Sequence, residues 1–231
     1  MRDVIIACDF SSKEETLNFL DQFTEKKPFV KIGMELFYSA GPEIVTELKK
    51  RGHKVFLDLK LHDIPNTVYK AMKNVAALGV DLTNVHAEGG VEMMKAAQKA
   101  IDEVSPSTQL IAVTILTSIS QEILENDLWV EKPINEVIKH YAQNAKEAGL
   151  AGVVCSPLEA GLVQEACGSD FITATPGVRF ADDAKGDQKR VTTPAKAKEI
   201  GSTYIVVGRS ITGAADPVAA YNRCLKEFVE E

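Results

Sequence analysis

Positive charge is in short supply in this chain. Its 26 lysines and arginines are outnumbered by 33 acidic residues, giving a formal net charge of −7. That balance leaves no electrostatic footprint for DNA, RNA or an anionic membrane surface, so any anionic small ligand would need a local basic pocket. Cysteine is equally sparse: Cys8, Cys155, Cys167 and Cys224 stand far apart, with no C-x-x-C pair and no zinc spacing. Cys8 and Cys155 fall inside apolar runs, which favours small buried side chains and the reduced thiols of an intracellular compartment. No apolar run approaches the roughly 18 residues of a membrane span. Met1 leads into a strand pattern within three residues, so no signal peptide is expected and the expected location is the cytoplasm. Glycine-rich phosphate loops are missing as well. The first strand pattern ends Ala7-Cys8-Asp9-Phe10, and G-x-G-x-x-G and Walker A sequences are both absent.

What the chain does have is a regular alternation. Short apolar runs predict strands at Val4–Cys8, Phe29–Ile32, Val55–Lys60, Leu82–His86, Leu110–Ile115, Gly152–Cys155, Phe171–Ala174 and Tyr204–Val207. Helical patterns lie between them, at Ser12–Phe23, Pro42–Lys50, Pro65–Leu78, Val91–Val104, Ile134–Ala148, Leu158–Ala166 and Pro194–Ile200, with Pro217–Val229 closing the chain. Ile64, Val68, Ala71, Met72, Val75 and Ala76 fall on one helical face. Near-continuous apolar strands suit parallel strands buried on both sides. Eight β/α units in 231 residues predict an α/β fold, a (β/α)8 TIM barrel forming a single domain over residues 1–231. A doubly wound open sheet is the second choice, weakened by the missing glycine-rich turn.

The most informative stretch is Asp58-Leu59-Lys60-Leu61-His62-Asp63-Ile64-Pro65-Asn66-Thr67. Side chains two apart on a strand share a face, so Asp58 and Lys60 are expected to point together, with Asp63 in the turn beyond. Carboxylates around a lysine favour its ammonium form. Three such charges at a strand's C-terminal end suggest proton transfer. By itself the spacing D-x-K-x-x-D also fits a structural ion pair, with Asp63 capping the helix that Pro65 opens.

The other strand ends tip the balance toward function. They read Asp9, Lys31, Asp58 with Lys60, His86, Thr117, Thr175-Pro176-Gly177 and Gly208-Arg209, the rim where barrels carry active sites. The connection from Thr175 to Thr192 is long, a length typical of lids and disordered segments, and carries Arg179, Gln188, Lys189 and Arg190. Gly208-Arg209-Ser210 enters a short helical pattern, where barrels often bind phosphate through backbone N–H groups, with Arg209 available for a charge-assisted contact. His86-Ala87-Glu88 lacks the P-C-x-x-C partner of zinc deaminases. His53 and His140 are expected to be solvated, and Trp129 to cover core rather than to stack on a base.

Taken together, these residues resemble the orotidine 5′-monophosphate decarboxylase family, of the bacterial type, over the full length. The resemblance rests on the ten-residue motif, Asp9, Val30-Lys31-Ile32-Gly33, Thr175-Pro176-Gly177-Val178-Arg179 and Val207-Gly208-Arg209-Ser210. It implies a cofactor-free and metal-free barrel homodimer that makes UMP. Lys60 would protonate C6 of the pyrimidine as carbon dioxide leaves, with Asp58 against the substrate carboxylate. Asp63, with Ile64 and Thr67, would be lent to the neighbouring subunit's site, and the whole run from Asp58 to Thr67, including Leu59, Leu61, His62, Pro65 and Asn66, would border substrate. Asp9 and Lys31 would hold the ribose, Lys31 also joining the charged array. Thr117, or Ser118 beside it, would read the pyrimidine edge, and Arg179, Gln188, Gly208 and Arg209 would hold the phosphate. The nearest alternative is a metal-dependent sugar-phosphate decarboxylase or aldolase of the same superfamily. Those relatives place a glutamate after strand two, where this chain has Lys31, which would repel a hard cation. A non-catalytic phosphate-binding barrel would explain the arginines but not a lysine between carboxylates.

Overall fold

The computed structural model describes residues 2–183 and 192–230. Eight parallel strands close into a barrel in sequence order, the last pairing with the first. They are β1 (Asp3–Ala7), β2 (Phe29–Gly33), β3 (Val55–Leu61), β4 (Leu82–His86), β5 (Gln109–Val113), β6 (Gly152–Val154), β7 (Ile172–Pro176) and β8 (Tyr204–Val207). The helices are α1 (Lys13–Leu20), α2 (Met34–Ala40), α3 (Glu43–Lys50), α4 (Pro65–Ala77), α5 (Gly90–Val104), α6 (Gln121–Asn126), α7 (Ile134–Glu147), α8 (Ala160–Cys167), α9 (Pro194–Ile200), α10 (Arg209–Thr212) and α11 (Pro217–Phe228). The expected (β/α)8 barrel is the fold.

The two-residue period of a strand divides the core in two. Ile5, Ala7, Phe29, Phe56, Leu82, Ile111, Ile172, Ala174 and Val206 point inward and fill the barrel. Their neighbours, among them Val4, Ile6, Val30, Ile32 and Leu57, point outward under the helices. Helix α4 shows the matching 3.6-residue logic, burying Val68, Met72, Val75 and Ala76. Local signals set many helix starts: Ser12, Ser120, Thr193 and Asp216 accept a backbone N–H at the N-caps of α1, α6, α9 and α11.

Several expectations need correction. Ile64 is not on the buried face of α4. It is the N-cap, with extended backbone, and is 66% exposed. Asp63 therefore precedes the cap, and its carboxylate accepts the Ile64 N–H at 2.6 Å. His53 is buried, its Nδ1 donating to the Pro28 carbonyl at 2.9 Å; His140 is exposed, as expected. Trp129 is 84% exposed, because a positive φ of 57° turns it outward between Asp127 and Val130. Leu124 and Val130 cover the core there instead. All four cysteines are free and buried. No helix among the described residues is long and apolar enough to cross a membrane.

Candidate active site

The inward period that fills the barrel with Phe29, Phe56 and Leu82 presents Lys31, Asp58 and Asn84 one layer higher, at the C-terminal rim. The strand register makes them neighbours. Lys31 pairs with Phe56 and Gly33 with Asp58, so the Lys31 ammonium reaches across to the β3 carboxylate. Lys31 Nζ lies 2.9 Å from Asp9 Oδ1 and 3.5 Å from Asp58 Oδ2. Lys60 Nζ lies 2.7 Å from Asp58 Oδ1. The result is an alternating row, Asp9–Lys31–Asp58–Lys60. A Cβ at Gly33 would come within 3.1 Å of Lys31 Nζ, so the smallest residue keeps room for that contact.

Asp58 and Lys60 do share a face, but not through a regular strand. Register with β4 holds at Leu57↔Thr83, slips, and resumes at Leu61↔Val85. Four residues of β3 thus span two of β4, a bulge of the kind often found beside active sites. Lys60 sits at its crest with φ 53°, in the left-handed region that a side-chain-bearing residue occupies at a cost of about 1–3 kcal/mol. Asn84 makes that conformation tenable. Its Oδ1 accepts the Lys60 N–H at 2.8 Å, in place of a ladder carbonyl, and its Nδ2 donates to Asp58 Oδ1 at 2.7 Å. Sequence reasoning passed over Asn84. The available signal was a carboxamide inside a short strand, on the inward face two residues before His86.

Burial and charge oppose each other in this row, and charge wins. Burial disfavours the Lys31 ammonium, yet Asp58 and Asp9 outweigh it and raise the lysine pKa above its ordinary value. Burial likewise opposes the Asp58 carboxylate, but Lys31 and Lys60, with hydrogen bonds from Lys60 and Asn84, hold its pKa below the usual carboxylate value. Asp63 stands outside the row. It is exposed and, among the described residues, forms no ion pair with either lysine. The whole segment His62 to Thr67 is exposed, while Leu59 is buried and Leu61 partly so. His86, at the end of β4, packs against His62 with ring centroids 5.6 Å apart and the rings tilted by 34°, and its buried Nδ1 has no partner among the described residues.

Two adjoining cavities open beside the row. The smaller, about 150 Å³, is bounded by Lys31, Asp58, Lys60 and Thr117 on an otherwise apolar wall that includes Phe56, Ile115 and Val206. Ser118 is exposed just beyond it. The larger, about 490 Å³, runs from Asp9 and Lys31 to Arg179, Gly208 and Arg209. Gly208 precedes α10, so the expected short helix is present. The expected strand Phe171–Ala174 instead runs to Pro176, and a Val178↔Thr192 bridge draws the ends of the following connection together. Gln188, Lys189 and Arg190 lie outside the described residues.

A sequence family described as the orotidine 5′-phosphate decarboxylase / HUMPS family matches residues 2–224. The chain belongs to this family. It is an enzyme, a carboxy-lyase. The orotidine 5′-phosphate decarboxylase of Bacillus caldolyticus is 55% identical over 228 residues, covering 97% of this chain and 93% of that protein. The one from Geobacillus kaustophilus is 54% identical with the same coverage. A crystal structure of orotidine 5′-phosphate decarboxylase from Lactobacillus acidophilus superposes with a TM-score of 0.90 at 44% identity, covering 99% of this chain and all of the other.

Proposed function

We propose that this chain decarboxylates orotidine 5′-monophosphate to UMP in pyrimidine biosynthesis, without a cofactor, as a cytoplasmic homodimer in which residues 1–231 form one domain. The observation that carries the reading is the row Asp9–Lys31–Asp58–Lys60, which runs along a small apolar cavity and a larger one with arginines at its far end. A flat pyrimidine suits the apolar walls, with Thr117 or Ser118 at its polar edge. The ribose hydroxyls then fall by Asp9 and Lys31, and the phosphate by Arg179, Gly208 and Arg209, with Gln188 assigned there from the sequence.

In this pose the C6 carboxylate lies against Asp58, and the C6–CO2 bond breaks beside the Lys60 ammonium. The electron pair stays on C6, in an orbital that the ring cannot delocalise, which is why enzymes of such reactions must lower the barrier by about 20 kcal/mol. A fixed ammonium stabilises that developing charge and then gives it a proton. Carbon dioxide leaves, and Lys60 regains its proton from solvent. The exposed run from Asp63 through Ile64 to Thr67, apolar Ile64 included, supports its docking into a second subunit's site.

The metal-dependent alternative meets an obstacle in the geometry. Lys31 Nζ occupies the space between Asp9 and Asp58 that a divalent cation would need in order to bridge them. The test is loss of the ultraviolet absorbance of orotidine 5′-monophosphate with EDTA present. Turnover supports the proposal; no turnover with EDTA, restored by magnesium, supports the alternative.

A further inference from the structure

Asp183 lies beyond the residues the motifs single out, yet it joins the two segments that carry Arg179 and Arg209 into the larger cavity. Its Oδ2 accepts the Phe180 N–H at 3.0 Å and also the Ser210 hydroxyl. Phe180 directly follows Arg179, and Ser210 directly follows Arg209. One carboxylate oxygen therefore ties together the neighbours of both arginines on the cavity wall.

The surrounding contacts make this tie a firm one. Arg179 N–H donates to the Thr192 carbonyl at 3.0 Å on one side. On the other, the Phe180 ring is buried and lies 4.0 Å beneath the Arg223 guanidinium. Arg223 in turn grips Asp182 through two contacts of 3.0 and 3.1 Å, pinning the turn to α11. The Asp183 N–H returns to the Phe180 carbonyl at 3.2 Å, closing the turn. A carboxylate just behind an anion-binding wall would by charge alone weaken anion binding, so its presence there calls for a geometric role.

We propose that Asp183 is a positioning residue that sets the spacing of Arg179 and Arg209 for the substrate phosphate, with the Asp182–Arg223 pair as its anchor. The inference rests on the phosphate assignment made above. An Asp183→Ala variant loses the tie, while Asp183→Asn keeps an oxygen able to accept both hydrogen bonds.

The experiment compares kcat/KM for orotidine 5′-monophosphate with that for orotidine, which lacks the phosphate, in wild type, Asp183→Ala, Asp183→Asn and Arg209→Ala. A misplacement of about 1 Å can cost on the order of a hundredfold, so Asp183→Ala should lower the ratio of the two values about tenfold or more. Asp183→Asn should recover most of that ratio. If Asp183→Ala leaves the ratio unchanged or raises it while Arg209→Ala lowers it, the positioning role is overturned and the carboxylate only repels the phosphate. If Arg209→Ala also leaves the ratio unchanged, the phosphate assignment itself fails, and the inference with it. Should Asp183→Ala fail to fold, Ser210→Ala cuts the same tie from the other end and must lower the ratio in the same direction.

Discussion

At the scale of single residues, Lys60 carries two separable burdens, one chemical and one conformational. Its ammonium is the proposed proton donor, and its backbone is held at φ 53°. Lys60→Ala should abolish detectable decarboxylation while UMP still binds, and substantial turnover by that purified variant would sink the assignment. Lys60→Gly should be just as inactive, yet more stable than Lys60→Ala by about 1 kcal/mol, because glycine enters the left-handed region without a Cβ penalty. Equal melting temperatures for the two variants would mean that the crest of the bulge is not strained. The buried histidines set a different, pH-dependent expectation. Burial holds both His53 and His86 below their ordinary value of 6.5. Between the folded pKa values and about 6.5, the unfolded chain takes up more protons, so stability rises with pH across that window and is lost as the pH falls through it, levelling off below the folded pKa values. The Asp58 contribution goes at lower pH, as its folded pKa, below 3.8, is crossed. Thermal melts from pH 5 to 8 test the first effect: a flat wild-type profile over that range contradicts it, and His53→Gln should flatten it in part.

At the scale of elements, the site is a property of β3 and β4 acting together. Asn84 substitutes a side-chain acceptor for the ladder bond that the bulge removes, and it fixes Asp58 at the same time. Asn84→Ala leaves a buried N–H and a carboxylate oxygen short of partners, at an expected cost of about 1–3 kcal/mol in stability. It should lower kcat at least tenfold with a smaller change in KM, as measured by steady-state kinetics; a wild-type kcat would remove Asn84 from the site. Most of the barrel was legible in the chain, because eight short, near-continuous apolar runs alternating with helical patterns suit parallel strands buried on both faces. The ends of those runs pointed to Asp9, Lys31, Asp58 and Lys60, which the fold brings into one row, since a charge at the tip of an apolar run has few places to go. Other features were not legible, each for a physical reason. The bulge depends on pairing between strands, which local sequence does not encode. Helices α2 and α6 are short and weakly periodic. The outward turn of Trp129 is a backbone choice that overrides the usual burial of a large ring. The tie made by Asp183 joins residues far apart in sequence, and nothing local announces it.

At the scale of the whole molecule, the exposed segment from His62 to Thr67 is the part of the chain that the proposed homodimer would use. If Asp63 serves the partner, each site combines Lys60 of one chain with Asp63 of the other. Mixing inactive Lys60→Ala and Asp63→Ala proteins under exchange conditions then creates heterodimers with one doubly damaged site and one intact site. Random pairing makes half the dimers mixed, so about a quarter of all sites should recover activity. Activity no higher than that of the separate variants, despite demonstrated exchange, would place Asp63 in its own subunit's site or outside catalysis. The closed ring of strands has a bearing on all such experiments. With β8 returned to β1, none of the eight strands among the described residues has a free edge along which to slide. The gap between Lys31 and Asp58 is fixed by the pairing of Gly33 with Asp58, and shifting it by one step means breaking ladders on both sides of β3. The charged row therefore has no melting transition of its own. In rising denaturant it should persist at full strength until the barrel gives way as a unit, and chemistry and fold should vanish at the same midpoint.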